Sequence, residues 1–185
     1  MTAAAELYHV PVEDMHPDLQ AAWTQLNKLT GDASFVEVFA NAPELLNFVM
    51  GEFYSKIFFA GRLSQRAKQL ARLKLSLVHG CRTCNKQNVP GAREAGISDD
   101  EIAALESGDL GVFPEQDRVV IEFTQLMTLG NMTDTVSSEL LARMKQHYSD
   151  AEICELGVVT AVISGMAKLS FVLDLVEREE YCSFT

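Results

Sequence analysis

Positive charge is scarce in this chain relative to negative charge. Fifteen Lys and Arg stand against 26 Asp and Glu, a formal net charge of −11. Such an excess of carboxylates opposes docking on phosphate backbones and on anionic bilayers, which need clustered basic side chains. Nucleic acid and membrane are therefore not expected as partners. Long apolar runs free of charge are missing too, and none reaches the roughly eighteen residues that a bilayer span needs. The stretch MTAAAELYHVPVEDMHP lacks a basic segment followed by an apolar one, so it does not read as a signal peptide. A reducing, cytoplasmic setting is the expectation. Four cysteines in 185 residues are few for a disulfide scaffold. No segment alternates Val, Ile and Thr between turn residues, so strands are not expected. Phosphate-binding Gly loops, a Ser nucleophile elbow and HExxH are absent.

What is there reads as helix. Hydrophobic residues make up 48% of the chain, enough for one compact domain spanning 1–185. Residues 1–16 are expected to be irregular, broken by Pro11 and Pro17. Leu19, Trp23, Leu26 and Leu29 recur at helical spacing over 18–29, and Gly31 stops them. A short helical piece follows at 35–40. Pro43 sits well in the first turn of a helix carrying Leu45, Phe48, Phe53, Ile57 and Phe58. Ser64 caps the next helix, to Gly80, and another runs from about Cys81 to Ala95 and closes on Gly96. Ser98 with Glu101 and Ser149 with Glu152 have the pattern of capping boxes. Helices are expected from Pro114 towards Gly130, over 137–148, and over 151 to about 177. The fold class is thus all-α.

A faint internal echo aligns Gln69–Leu70 with Glu155–Leu156, Leu73 with Val159, Leu77 with Ile163, Cys81 with Ala167 and Cys84 with Ser170. It is compatible with two related helical halves, or with chance matching of apolar residues. The Phe48, Phe53, Phe58 and Phe59 run reads as core or subunit interface. Cys154, on an apolar helix, reads as a core thiol, and Cys182 as exposed and mobile.

Residues 79–88, HGCRTCNKQN, place Cys81 and Cys84 three apart on the first turn of a helix. The pair could bind a metal, cycle as a redox disulfide, or pack as two small hydrophobes. Zinc fails on ligand count: there is one knuckle, and Cys154, Cys182, His9, His16 and His147 are scattered. No metal and no cofactor is expected. Redox chemistry is favoured over packing, because a helix N-terminus lowers a thiol pKa and Lys74, Arg82 and Lys86 add local positive charge.

The segment LSQRAKQLARLKLSLVHGCRTCNKQNVPGAREAGISDDEI, residues 63–102, resembles the alkylhydroperoxidase D-like, or carboxymuconolactone decarboxylase-like, family. The shared features are an apolar helix, a Gly-Cys-x-x-Cys turn, and a helix ending in Ala-Gly-Ile-Ser-x-x-Glu-Ile. The likeness extends over roughly residues 35–175. It implies a multi-helix all-α fold and a homo-oligomer, a trimer or hexamer. It implies reduction of a hydroperoxide or disulfide substrate by the CxxC pair, with electrons from a dithiol such as a lipoyl group. It also implies a proton relay, formed by a glutamate twelve residues before the first Cys and a histidine four after the second. Here those positions hold Gln69 and Asn88, which keep hydrogen-bonding shape and lose acid–base capacity.

The expected site is therefore Cys81, Cys84 and His79, with Gln69 and Asn88 holding geometry. His79, two residues before Cys81, is the candidate replacement base or cationic neighbour, against a plain turn histidine. Glu52 is a further carboxylate candidate, whereas Glu94 lies too far along the helix. The resemblance points to the second Cys as attacker, and the helix-dipole argument to the first. A non-enzymatic binding or redox-sensing module of the same fold is the alternative. A decarboxylase comes third, because the helix after the CxxC contains no histidine.

Overall fold

The structure, a computed structural model, describes residues 7–131 and 133–181. Nine α-helices make up most of them: α1 Pro17–Thr30, α2 Ser34–Phe39, α3 Pro43–Asn47, α4 Gln65–His79, α5 Arg82–Glu94, α6 Asp99–Ser107, α7 Glu115–Leu126, α8 Ser138–Met144 and α9 Asp150–Val172. Cap chemistry sets several boundaries. Ser64 Oγ accepts from Ala67 N–H at the start of α4. Both capping boxes form, at Ser98 with Glu101 and at Ser149 with Glu152. The fold is all-α, and the described residues contain no named strand.

Helix α4 is the axis of the molecule. It packs on α5, α6, α7 and α9. Leu70, Ala71 and Leu73 are wholly buried and anchor the main core with Val119, Val120 and Ile121 of α7 and Leu156 of α9. Leu63, Phe113 and Met144 close it from the loops and from α8. A second cluster joins Met15 and Val36 to Leu46, with Trp23 and Leu26 of α1 against it. A helix surrounded on all sides buries its polar residues as well. Lys68, Gln69, Arg72, Ser76 and His79 are all buried on α4. Each needs a partner or a reason, because an uncompensated buried polar group is costly.

Three expectations are corrected. The segment expected to continue α3 as an α-helix is a π-helix over Phe48–Phe58, ended by a Phe59 N–H to Tyr54 O bond of 2.8 Å that spans five residues. Helix α9 ends at Val172, not near 177, because Asp174 turns left-handed (φ 55°) and sends the tail back over the molecule. Cys154 is exposed rather than in the core, because α9 is apolar on nearly every face and its pattern does not mark an inner side. Within residues 1–16, Val12–Asp14 form one 3₁₀ turn. Cys182 lies outside the described residues.

By length and composition α9 alone among the described helices is apolar enough to cross a bilayer, with a mean hydropathy of 1.5 over its apolar window. In the fold it packs on α4 and on the π-helix, and buries Glu155. The echo positions Leu70, Leu73, Leu156 and Val159 are all in the interior. Of the aromatic run, Phe53 and Phe58 are buried while Phe48 and Phe59 are exposed.

Candidate functional site

The site begins with one glycine. Gly80 adopts φ 63°, ψ 38°, a conformation that costs other residues about 1–2 kcal/mol. It reverses the chain directly after α4, so that α5 folds back along it. Cys81 is the N-cap of α5 and Cys84 stands in its first turn. The two are joined as a disulfide. Cys84 N–H points at Cys81 Sγ, 3.2 Å away. Cys81 is 1% exposed, whereas Cys84 is half-buried and reaches the surface. Phe171, Ala167 and Val176 pack around the pair.

The tail after α9 lies directly against this turn. Its backbone pairs antiparallel with the CxxC through Cys81 and Arg178. Glu177 O accepts Arg82 N–H at 2.9 Å and Thr83 N–H at 3.5 Å, and Gly80 O accepts Glu179 N–H at 2.8 Å. Thr83 Oγ1 accepts Glu177 N–H at 2.9 Å. Glu177 and Glu179 pair with Lys86 and Arg82 at 3.2 and 3.1 Å. The Glu179 carboxylate holds the Arg82 guanidinium above its usual pKa. Two cations expected to favour a thiolate are thus matched by tail carboxylates. The third, Lys74, is half-buried, and burial lowers its pKa.

The two relay positions both lie on the α4–α5 interface. Asn88, one turn beyond Cys84 and 3% exposed, directs Nδ2 at Arg72 O over a long 3.4 Å. Gln69 is 4% exposed and packs against Gly91. A Cβ on Gly91 would stand 2.9 Å from Gln69 Nε2, so the glycine makes room for this side chain. Gln69 Oε1 is buried and accepts no hydrogen bond from the described residues.

His79 is placed elsewhere. It is the last residue of α4, 1% exposed, and its Nε2 accepts Leu129 N–H at 3.1 Å from the loop after α7. Burial pushes its pKa from 6.5 down to about 4. A neutral imidazole has one acceptor nitrogen, and that nitrogen is engaged here. His79 is therefore neither a cationic neighbour near neutral pH nor a base with a free lone pair. It lines a surface cavity of about 500 Å³ with Val78, Gln125 and Thr128. Glu52 pairs with Lys56 at 2.6 Å on the exposed face of the π-helix, and Glu94 is exposed. Among the described residues no cluster of three or more His, Cys, Asp or Glu could hold a metal ion.

Arg72 and the C-terminal tail are what sequence reasoning missed. Arg72 stood in plain view as a charged residue amid leucines on α4. The tail carried no local signal.

The model of the carboxymuconolactone decarboxylase family matches residues 43–110. An uncharacterised Bacillus subtilis (strain 168) protein, YdfG, is 21% identical over 140 residues, covering 75% of this chain and 92% of its own. Two solved structures share the fold. One is an Agrobacterium tumefaciens protein of unknown function, a candidate antioxidant-defence protein AhpD. Its TM-score is 0.62 at 22% identity, over 74% of this chain and 92% of that one. The other is an uncharacterised peroxidase-related protein from Silicibacter sp. TM1040, with a TM-score of 0.72 at 15% identity over the whole of both chains. At these identities the likeness establishes architecture.

Proposed function

We propose a function for this chain from within the family to which it belongs, the alkylhydroperoxidase D-like, carboxymuconolactone decarboxylase-like family, which includes antioxidant-defence peroxidase-like proteins and decarboxylases. The chain is a thiol–disulfide oxidoreductase working through Cys81 and Cys84. One observation carries this reading: the two sulfurs are bonded at the N-terminus of α5, where Cys81 is buried and Cys84 only partly so.

Exposure divides the roles. A substrate arriving from solvent meets Cys84, whereas Cys81 is sealed. In the reduced protein the Cys84 thiolate attacks a hydroperoxide, giving a sulfenic acid and an alkoxide that takes up a proton. The Cys81 thiol then displaces water to form the disulfide. An external dithiol reduces it and is itself oxidised, which closes the cycle. With a disulfide substrate the first step is exchange through a mixed disulfide. The second cysteine as attacker agrees with the family resemblance. Gln69 and Asn88 can hold polar groups in place but cannot relay a proton, and a lost general base costs on the order of 10²–10⁴ in rate. Slow peroxide turnover is therefore part of the proposal.

The test is thiol titration across dithiothreitol and glutathione ratios, with Cys154 and Cys182 replaced by Ser. A reversible intramolecular couple at about −120 to −270 mV is expected, the span of known dithiol oxidoreductases. A pair that never reoxidises, or that binds zinc tightly in its reduced form, would overturn the assignment. Sedimentation in the same buffers addresses the homo-oligomer, trimer or hexamer, that the family resemblance proposes.

A further inference from the structure

Arg72 is a buried cation without a counter-ion. It is 7% exposed on α4. Its guanidinium lies 5.4 Å from the ring centroid of Tyr54 and 5.5 Å from that of Phe58. Its side chain makes no hydrogen bond or ion pair with the described residues. The chain holds eleven more carboxylates than Lys and Arg together, so a partner could readily have been supplied. Glu155, the carboxylate that reaches α4 at Lys68, is already used. Glu155 pairs with Lys68, one turn before Arg72, at 3.3 Å. Its oxygens also accept Arg62 N–H at 2.8 Å and Leu63 N–H at 3.1 Å. Buried guanidinium groups are ordinarily paired, because removing a lone charge from water is costly.

The surroundings describe what the missing partner looks like. Tyr54 and Phe58 wall the guanidinium, and both touch Phe59, with centroids 6.1 and 5.1 Å apart. Phe59 is 56% exposed and gives an apolar approach from solvent. The Arg72 backbone carbonyl takes the Asn88 amide, and Gln69, with its unpartnered Oε1, lies one turn earlier on α4. Arg72 is thus level with a residue about 6 Å along α5 from Cys84, at 1.5 Å rise per residue. One planar guanidinium fits one monoanionic carboxylate in bidentate fashion. A phosphate would ask for more donors, and Lys68 is already neutralised. We propose that Arg72 binds the carboxylate of an amphipathic monocarboxylic acid whose apolar part rests on Phe59 and the half-buried Tyr54 ring.

This site does not depend on the redox reading and is tested without turnover. Octanoate and its neutral counterpart octanamide are titrated calorimetrically into the full chain with its disulfide intact. Saturable octanoate binding is expected, about tenfold or more tighter than octanamide, the scale of one charge-assisted hydrogen bond. Arg72→Met should erase that preference. Arg72→Lys keeps the charge, loses the fork, and should weaken octanoate several-fold. Equal binding of the two probes, or octanoate binding unchanged in either variant, overturns the proposal. So does the absence of octanoate binding in the natural chain. If Arg72→Met instead dissociates an oligomer while octanoate never binds, the counter-ion is an acidic side chain of a second copy, and the small-molecule site is wrong.

Discussion

His79 should make the protein acid-sensitive, by an amount the structure lets us work out. Its pKa falls from 6.5 to about 4 on folding because the ring is buried, with Nε2 accepting Leu129 N–H. Protonation would put a hydrogen on that nitrogen and break the bond. The unfolded chain binds this proton below pH 6.5 and the folded chain only below about pH 4. Between these values the unfolded state holds more protons, so stability falls as pH falls through the window. The full effect is about 3 kcal/mol, reached near pH 4, and about 2 kcal/mol is gone by pH 5. In a chain of this size 2 kcal/mol corresponds to roughly 4–8 °C in Tm. Carboxylates also titrate on the acid side, so the natural chain alone cannot isolate the histidine. His79→Gln retains an acceptor for Leu129 N–H and does not titrate. Urea midpoints for both proteins at pH 7.5, 6, 5 and 4.5 give the difference. The two should lie within about 1 kcal/mol at pH 7.5, the worth of one altered hydrogen bond. They should then converge or cross as pH falls, the natural chain losing about 2 kcal/mol more by pH 5. Parallel curves would refute the reasoning. They would mean that His79 stays protonatable in the fold, and it would return as a candidate base.

Two further outcomes follow from the relay positions and from the tail. Gln69→Glu with Asn88→His should raise peroxidase kcat/KM by about tenfold or more, with each single change doing much less, because a base and its partner act as a unit; the buried carboxylate alone should make Gln69→Glu less stable as pH rises above about 4.3, and a double variant with no gain in rate would count against the peroxidase reading. Glu177→Ala with Glu179→Ala removes the carboxylates beside Lys86 and Arg82 while leaving the backbone bonds, so stability should drop by no more than about 1 kcal/mol per exposed pair and alkylation of the reduced Cys84 by iodoacetamide at pH 7 should quicken a few-fold; an unchanged rate would show that these charges do not reach the thiol.

The helices were legible because their punctuation is local. Ser98 with Glu101 and Ser149 with Glu152 announce their boxes three residues apart, and each forms. The π-helix was not legible, because an apolar run such as Phe48–Phe58 has no feature separating a five-residue hydrogen bond from a four-residue one. The end of α9 was missed for a related reason. No Gly or Pro marks Asp174, and the tail turns back where the Arg82 and Thr83 amides at the start of α5 donate to the Glu177 carbonyl. Those amides are unpaired within any helix, so the signal is distant in sequence. His79 was read as near the thiols because it stands two positions before Cys81. The left-handed turn at Gly80 lies between them, and the imidazole is held by the loop after α7.

These placements narrow the chemistry more than the cysteine spacing does. A thiolate at the start of α5 would draw on three N–H groups of the first turn. Arg82 and Thr83 N–H are given to Glu177 O, which leaves Cys84 N–H, aimed at Cys81 Sγ. The stabilised sulfur is therefore the buried one, while the accessible sulfur stands without that help. In thiol–disulfide exchange the sulfur whose thiolate receives a hydrogen bond is the better leaving group. Cys81 is thus suited to leave when the disulfide is reduced, as long as the incoming thiol engages Cys84, the sulfur it can reach. On the redox reading proposed above, with Gln69 and Asn88 unable to titrate, the arrangement would serve exchange between thiols and disulfides better than it would serve peroxide, where the proton for the departing alkoxide would come from solvent. Disulfide substrates should accordingly turn over faster than hydroperoxides when both are offered to the same reduced protein, and the reverse order would mean that a proton donor other than these two amides serves the site.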